Sequence, residues 1–411
     1  MTSVFLVIAA LLFAVTGLYY IWVLLCILVG LLTDKQPQPS APPLHIAVIC
    51  CARNEEAVIS GLIDSIRKQD YPADCRRMFV VAHNCSDRTA AIAEAAGAEV
   101  LVRNDPRDTC KGDAMRFGVA EVLRRHPGEF DAVAVFDADN LASRQFLREI
   151  SAALGSAEVV QGFRSSKNYH HNAVSELFSA FWLVMSDFQY LSHTRMQLPS
   201  CVNGTGFAFR TDALPPEGWQ TVTFLEDVEF SVRQALLGHR VRCAPTAVFY
   251  DEQPTTLSDG LRQRFRWAVG MQEVMRHYAP ALFRAIPKLR RDAVKLLGDI
   301  CINPIFTCTI LGLCFLFAGL MLGGASLWAL LGWLAVFLLC MWVLSLPMVL
   351  SLLRKEQEPI RENLATVFFF SPFLFLSFIF GVAAIFVRHP KWTPIRHDDT
   401  TSLAELENTH R

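Results

Sequence analysis

From Val4 to Thr33 the chain runs without a charged residue. A helix rises about 1.5 Å per residue and needs about 20 apolar residues to cross the hydrocarbon core of a bilayer, so this run is long enough to span one. A cleaved leader is the rival reading. The run is too long for one, lacks a basic start and has no clear small-residue cleavage site ahead of Asp34 and Lys35, so a retained anchor is expected. Apolar runs near 300–322, 325–353 and 363–387 are each long enough to cross as well, with Pro347 and Pro372 placed to kink or break the last two. A hydrophobic share of 52% against 19% charged residues agrees with a chain that is part membrane and part soluble.

The soluble part begins after Gln36–Pro43, QPQPSAPP, whose prolines rule out a helix. Beyond it, His45–Cys51, Met78–His83, Glu99–Val102 and Asp131–Phe136 are short β-rich apolar runs, separated by helical stretches such as Val58–Lys68 and Thr89–Ala96. Strands alternating with helices predict an α/β domain with a mainly parallel sheet covered on both faces. The net charge of -1 leaves no excess of Lys and Arg to neutralise phosphates, so no nucleic-acid partner is expected. The twelve cysteines are scattered, several of them (Cys26, Cys301, Cys308, Cys314 and Cys340) inside apolar runs, and none has metal-ligand spacing. They read as reduced and structural.

Residues 281–298 set Arg284, Lys288, Arg290, Arg291 and Lys295 against Leu and Ile, the pattern of a helix lying along a membrane surface. The expected organisation is a transmembrane helix at 1–35, a soluble domain at 36–280, an interfacial helix at 281–298, about three transmembrane or re-entrant helices at 299–388 and a polar tail at 389–411. Arg354, Lys355 and Arg361 lie in the short loop between the last two apolar runs, which assigns that loop and the soluble domain to the cytoplasmic side of an inner membrane. The tail, with Arg388, Lys391 and Arg396, is basic too. Full crossings throughout would leave it outside, so one segment, best 363–387 with its proline, is expected to be re-entrant or interfacial, and the tail's side stays open.

Three motifs carry chemistry. Asp137-Ala138-Asp139-Asn140 follows the strand-like run AVAVF, and carboxylates two apart at a strand's end reach the ligand cleft of a parallel sheet. Hard oxygens there suit Mg²⁺ or Mn²⁺ on a pair of phosphates. A D-x-D alone is more often a turn, and it is the position after a buried strand that raises it. Thr223–Asp227, TFLED, opens a helical stretch with Gly238 near its end, where a carboxylate is either a cap or a general base. Gln263-Arg264-Phe265-Arg266-Trp267 lies on a helix after the Pro254–Gly260 turn and offers a cation for a diphosphate and a flat ring for a sugar or lipid.

In this order, D-x-D, E-D and Q-x-x-R-W with helices at the membrane, the motifs resemble the family 2 glycosyltransferases, the group containing cellulose, chitin and hyaluronan synthases and ceramide glucosyltransferase. The likeness spans roughly residues 45–270 and extends to Ala52–Glu56 (ARNEE), Asn84–Thr89 (NCSDRT), Lys111-Gly112 and Gly204-Thr205-Gly206. It implies an A-type, Rossmann-like glycosyltransferase domain on transmembrane helices. It also implies that Asn54, Glu55, His83, Asn84 and Asp87 border the nucleoside, that Lys111 lies near the base or diphosphate, and that Asp139, assisted by Asp137 across Ala138, holds Mn²⁺ or Mg²⁺. Asp227, beside Glu226, becomes the catalytic base and Arg266 the cation on the leaving group. Gly204, Thr205 and Gly206 shape the acceptor pocket, which Gln263 and Trp267 close. Where the family carries an acidic residue at the end of the second strand this chain has His83, so either Asp87 takes part of the uracil contact or the base preference changes.

The resemblance implies an inverting, metal-dependent hexosyltransferase moving a sugar from a nucleotide diphosphate sugar, with UDP the expected nucleotide, onto a growing β-linked oligo- or polysaccharide. Single transfer to a membrane lipid is the alternative, because Q-x-x-R-W occurs in both kinds of enzyme. About four spans make a lean channel for one chain, which leaves a homo-oligomer sharing helices open. The remote alternative is a non-catalytic nucleotide-sugar-binding membrane protein. Against a transporter, the spans hold almost no ionisable residue.

Overall fold

The computed structural model describes residues 1–39, 41–108, 110–288, 291–387 and 397–409. Eight strands, β1 (Ile46–Ala52), β2 (Arg76–His83), β3 (Glu99–Arg103), β4 (Ala132–Phe136), β5 (Leu141–Ala142), β6 (Val159–Ser166), β7 (Phe207–Arg210) and β8 (Val241–Asp251), form one sheet in the order β3-β2-β1-β4-β7-β6-β8-β5. The helices are α1 (Thr2–Leu31), α2 (Ile59–Arg67), α3 (Thr89–Ala95), α4 (Lys111–Arg125), α5 (Phe146–Ala153), α6 (Ala173–Val184), α7 (Leu191–Arg195) and α8 (Glu226–Leu237). They continue as α9 (Leu257–Ala285), α10 (Arg291–Ile300), α11 (Ile302–Leu322), α12 (Leu327–Lys355), α13 (Leu364–Ile385) and α14 (Leu403–Thr409).

β1 pairs in parallel with β2 and β4, and β2 with β3. β7 runs antiparallel to β4 and β6, while β6 and β8 are again parallel. The carboxyl ends of β1, β2, β4, β6 and β8 therefore share one edge of the sheet with the amino end of β7. Side chains alternate across a strand, so Ile46, Val48 and Cys50 of β1 pack with α2 and α5 on one face, while Ala47 and Ile49 pack with Met115, Val119 and Val122 of α4 on the other. A strand covered on both faces must be apolar throughout, which is why HIAVICC and DAVAVF read as continuous runs. All twelve cysteines are free.

Among the described residues four helices, α1, α11, α12 and α13, are long and apolar enough to cross a membrane. α12 and α13 continue across Pro347 and Pro372. A proline removes one backbone donor, but a break would leave further polar groups without partners in an apolar setting. α13 lies beside α9: Arg264 donates to Phe373 O at 2.7 Å and to the Ser377 hydroxyl, and Arg276 donates to Ile385 O at 2.9 Å. The stretch 281–298 is divided between the end of α9, a 3₁₀ turn at Ile286–Lys288 and α10. Pro287 has no N–H to continue α9 and disfavours helical geometry in the residue before it. Arg290, Arg388, Lys391 and Arg396 lie outside the described residues, as do the side chains of Lys288 and Arg291. α14 lies back against the sheet domain, where Arg144 pairs with Glu407 at 2.9 Å.

Candidate active site

Asp137, Ala138 and Asp139 leave the carboxyl end of β4 at the sheet edge where open α/β folds receive ligands. Their turn is fixed from beneath. Asp137 N–H donates to Asn140 Oδ1 at 3.2 Å and to Thr205 Oγ1 at 2.8 Å, the Thr205 hydroxyl donates to Asn140 Oδ1, and Asn140 Nδ2 donates to Asp251 Oδ1 at 2.7 Å. Lys111, first residue of α4, donates to the Asp137 carboxylate and to Gly204 O at 2.7 Å. Burial alone would lower its pKa, but Asp137 and Glu226 outweigh burial and raise it, so the ammonium stays charged. Asp139 is buried and its Oδ2 accepts from Glu252 N–H at 3.3 Å.

Glu226 and Asp227 open α8, whose amino-terminal dipole favours anions. Burial raises both carboxyl pKa values against the pull of Lys111, and with the Asp227 charge alongside, Glu226 is pushed up to about 8. Asp227 Oδ1 accepts from Val228 N–H at 2.8 Å, while Oδ2 faces Gly204. Gly204 has φ +85°, and a Cβ there would lie 3.3 Å from that oxygen. At Gly206, φ +59°, a Cβ would collide with the Phe249 ring. Only glycine meets both conditions without strain.

On α9, the half-buried Arg266 has an Nε without a hydrogen-bond partner among the described residues. Burial lowers its pKa and the Glu226 and Asp137 charges oppose that. An incompletely partnered guanidinium near two acids is suited to an incoming diphosphate. Trp267 packs edge-on to Trp182 at 5.3 Å and near-parallel to Phe181 at 6.5 Å. Arg264 is spent on α13 and is structural.

Glu55, His83, Lys111, Asp137, Ala138, Asp139, Gly204, Glu226, Asp227, Gln263, Arg266 and Trp267 all line one cavity of about 2220 Å³. Its far walls come from the apolar helices, with Phe13 and Tyr20 of α1, Leu313 of α11, Leu334 and Met341 of α12 and Phe375 of α13. Asn54, Asn84, Asp87, Thr205 and Gly206 are not on its wall. Asn54 (φ 60°) accepts from Ser86 N–H at 2.7 Å, and Asn84 (φ 52°) exchanges two 2.9 Å bonds with the Asp105 backbone, so these residues shape loops. Asp87 uses Oδ1 on Thr89 and Oδ2 on Glu56 N–H at 3.1 Å, so its carboxylate ties its own loop to that of Glu56. His83 instead faces the cavity, 3.6 Å from Asp108, and burial lowers its pKa against the pull of that carboxylate.

The cavity also holds residues that the motifs do not name: Arg164, Asp251, Glu252 and His397. Arg164 donates to Asp251 Oδ2 at 2.9 Å and lies 3.8 Å from the Trp182 ring centre. Asp251-Glu252 follow the strand run AVFY, so the strand-end argument used for Asp137 would have reached them. Burial alone would lower the His397 pKa, but Asp139 and Glu55 push it up to about 10.

Among the described residues no group of three or more His, Cys, Asp or Glu is arranged to hold a metal ion. Asp137 and Asp139, two apart at the end of β4, offer two hard carboxylates on the cavity wall, a number that Mg²⁺ commonly takes from protein when phosphates complete its shell. The donor set fits a divalent cation carried in with a diphosphate.

Among relatives, the chain is 28% identical over 264 residues to the "Probable glycosyltransferase YdaM" of Bacillus subtilis, covering 61% of this chain and 59% of that one. It is 26% identical over 260 residues to the "Beta-monoglucosyldiacylglycerol synthase" of a Synechocystis species, covering 57% and 52%. The chain thus spans between half and three-fifths of the length of these relatives. Among solved structures, the mannosyltransferase PcManGT from Pyrobaculum calidifontis, in complex with GDP-Man and Mn²⁺, superposes with a TM-score of 0.64 at 17% identity, covering 94% of this chain and 99% of that one. The fold is accordingly the expected A-type glycosyltransferase fold, joined to four candidate membrane helices. Residues 42–270, more than half of the chain, match the model described as "Glycosyltransferase like family 2", and with its D-x-D, E-D and Q-x-x-R-W residues on one cavity the chain belongs to that family.

Proposed function

We propose that this enzyme transfers one sugar from a nucleotide diphosphate sugar, with inversion, onto a hydroxyl of a membrane lipid. The observation that carries the reading is the continuity of one cavity from Asp227 to walls of Phe, Leu and Met on α1, α11, α12 and α13. Such walls match acyl chains, whereas a growing sugar chain also needs polar groups along its path to meet its hydroxyls. The name of the Synechocystis relative, a synthase of a glucosylated diacylglycerol, points the same way. Synthesis of a β-linked oligo- or polysaccharide, the leading expectation from sequence, becomes the second reading.

In this account Asp227 accepts the proton of the lipid hydroxyl, whose oxygen attacks the anomeric carbon in line from the face opposite the diphosphate. Arg266 meets the negative charge that develops on the departing diphosphate. Lys111 holds the Asp137 turn and Gly204 together, fixing donor and acceptor sides relative to each other. Mg²⁺ or Mn²⁺, held by Asp139 and Asp137, would supply further charge stabilisation to the leaving group. With a UDP-sugar as donor, His83 would face the base. The domain is read as cytoplasmic, on an inner membrane. α13, lying along α9, is read as interfacial, which keeps the tail on the domain's side of the bilayer.

A diacylglycerol carrying a photoreactive acyl chain tests the reading. Cross-links are expected on α1, α11, α12 and α13. Their absence from all four, with labelling elsewhere, would remove the lipid acceptor.

A further inference from the structure

Asn203 is on the wall of the cavity, one residue before the glycine that faces Asp227 Oδ2, and it is more than nine-tenths buried. Its backbone is fixed at both ends: the N–H donates to Gln161 Oε1 at 2.9 Å and the carbonyl accepts from Arg164 at 3.3 Å. The side-chain amide is not. Neither Oδ1 nor Nδ2 has a hydrogen-bond partner among the described residues. His193, buried on the same wall, repeats the pattern: its Nε2 lies 3.5 Å from Cys26 Sγ, and its Nδ1 has no partner. Just before it, the helix widens to a π turn at Met185–Tyr190 that presents Gln189 and Tyr190 to the cavity, and such turns recur at functional sites. A buried amide with both ends unpaired destabilises the chain unless a ligand completes it.

Charge narrows the ligand. Burial pushes the His193 pKa down to about 2, with the Lys295 charge adding to the effect, so the ring is neutral. Lys295 itself is taken up by Asp299 at 2.5 Å. The cations of the wall are engaged elsewhere: Lys111 by Asp137 and Gly204, Arg164 by Asp251, and Arg264 by α13. Arg53 stands on the exit loop of β1 with Glu55, and Arg266 is assigned to the diphosphate. A phosphate brought to Asp227 as the acceptor would meet a carboxylate with no cation of the wall set against it.

We infer that Asn203 is a specificity-determining residue for the acceptor, with His193 lining the same headgroup site, and that this site takes a neutral lipid bearing hydroxyl and ester oxygens in preference to a lipid phosphate. The inference rests on the lipid-acceptor reading and names the headgroup. Nδ2 donates to an oxygen beside the attacked hydroxyl, and Oδ1 accepts from a hydroxyl. A phosphate dianion supplies acceptors only, which would leave Oδ1 unpaired in a buried place.

Steady-state transfer by the full-length protein in mixed micelles tests this, with dioleoylglycerol and, separately, a polyprenyl phosphate as acceptor and whichever nucleotide sugar of a panel it turns over as donor. The parent is expected to glycosylate dioleoylglycerol faster. Asn203→Leu removes the amide at near-constant size and should raise KM for dioleoylglycerol about tenfold, with KM for the nucleotide sugar unchanged. Its thermal unfolding should lie at the parent's temperature or above, because no side-chain hydrogen bond within the protein is lost. Asn203→Ala gives the same kinetic reading should the leucine disturb the wall. An unchanged KM for dioleoylglycerol in both variants would overturn the inference, as would faster glycosylation of the polyprenyl phosphate by the parent. Both results leave a lipid acceptor standing. If the parent glycosylates neither lipid and labels a water-soluble polymer instead, the lipid reading itself fails and takes this inference with it.

Discussion

A Cβ built on Gly204 would lie 3.3 Å from Asp227 Oδ2, and the glycine carbonyl is tied to Lys111 at 2.7 Å. The bare glycine keeps open the space beside the one Asp227 oxygen that Val228 does not occupy. A hydroxyl must come there to lose its proton. Asp227→Asn should therefore lower kcat by about 10²–10⁴-fold while nucleotide affinity stays within about twofold. Steady-state kinetics with a parallel binding titration checks both numbers.

The pH dependence follows from the same pair. Asp227 works ionised, and burial raises its pKa, so activity should fall as pH drops, with a midpoint above the ordinary aspartate value of about 3.9. Glu226 is shifted from 4.5 to about 8, so the folded chain holds a proton that the unfolded chain releases between those values. That contribution to stability is complete below the lower value and is lost as pH rises through the upper one. Thermal unfolding of Glu226→Gln should accordingly depend less on pH than that of the parent between about pH 5 and pH 8.

Arg164 is buried against Asp251 and Trp182. Arg164→Met would leave Asp251 as an uncompensated buried acid and should cost about 3–5 kcal/mol of stability, read as a lower unfolding midpoint.

Gly17 of α1 lines the apolar end of the cavity, and nothing lies within 4 Å of a Cβ built on it. Gly17→Phe fills space that an acyl chain would take. Transfer to a lipid acceptor is expected to fall on the order of tenfold, with nucleotide binding unchanged. Equal loss of both would point to disturbed folding.

The central strands at 46–52, 76–83 and 132–136 are legible in sequence because strands covered on both faces must be apolar throughout. β6 is not. It buries Gln161 and Arg164, whose partners Thr205 and Asp251 come from distant segments, so its polar residues give no clear strand signal. The carboxylates on the cavity are legible because strand ends and helix starts announce them. The place of Asp87 off the cavity wall is not legible, since its oxygens go to its own loop and to Glu56. His397 is silent, because its contact with Glu55 joins positions 342 residues apart. The division of 281–298 turns on Pro287, which stands in the sequence and marks the end of the preceding helix.

The most direct test incubates the purified protein in lipid bilayers with Mn²⁺ or Mg²⁺ and a panel of radiolabelled nucleotide sugars, then partitions the product between organic solvent and water. The account predicts one organic-soluble glycolipid that disappears with Asp227→Asn. Label in a high-molecular-weight, water-soluble polymer, or organic label that survives Asp227→Asn, would contradict it.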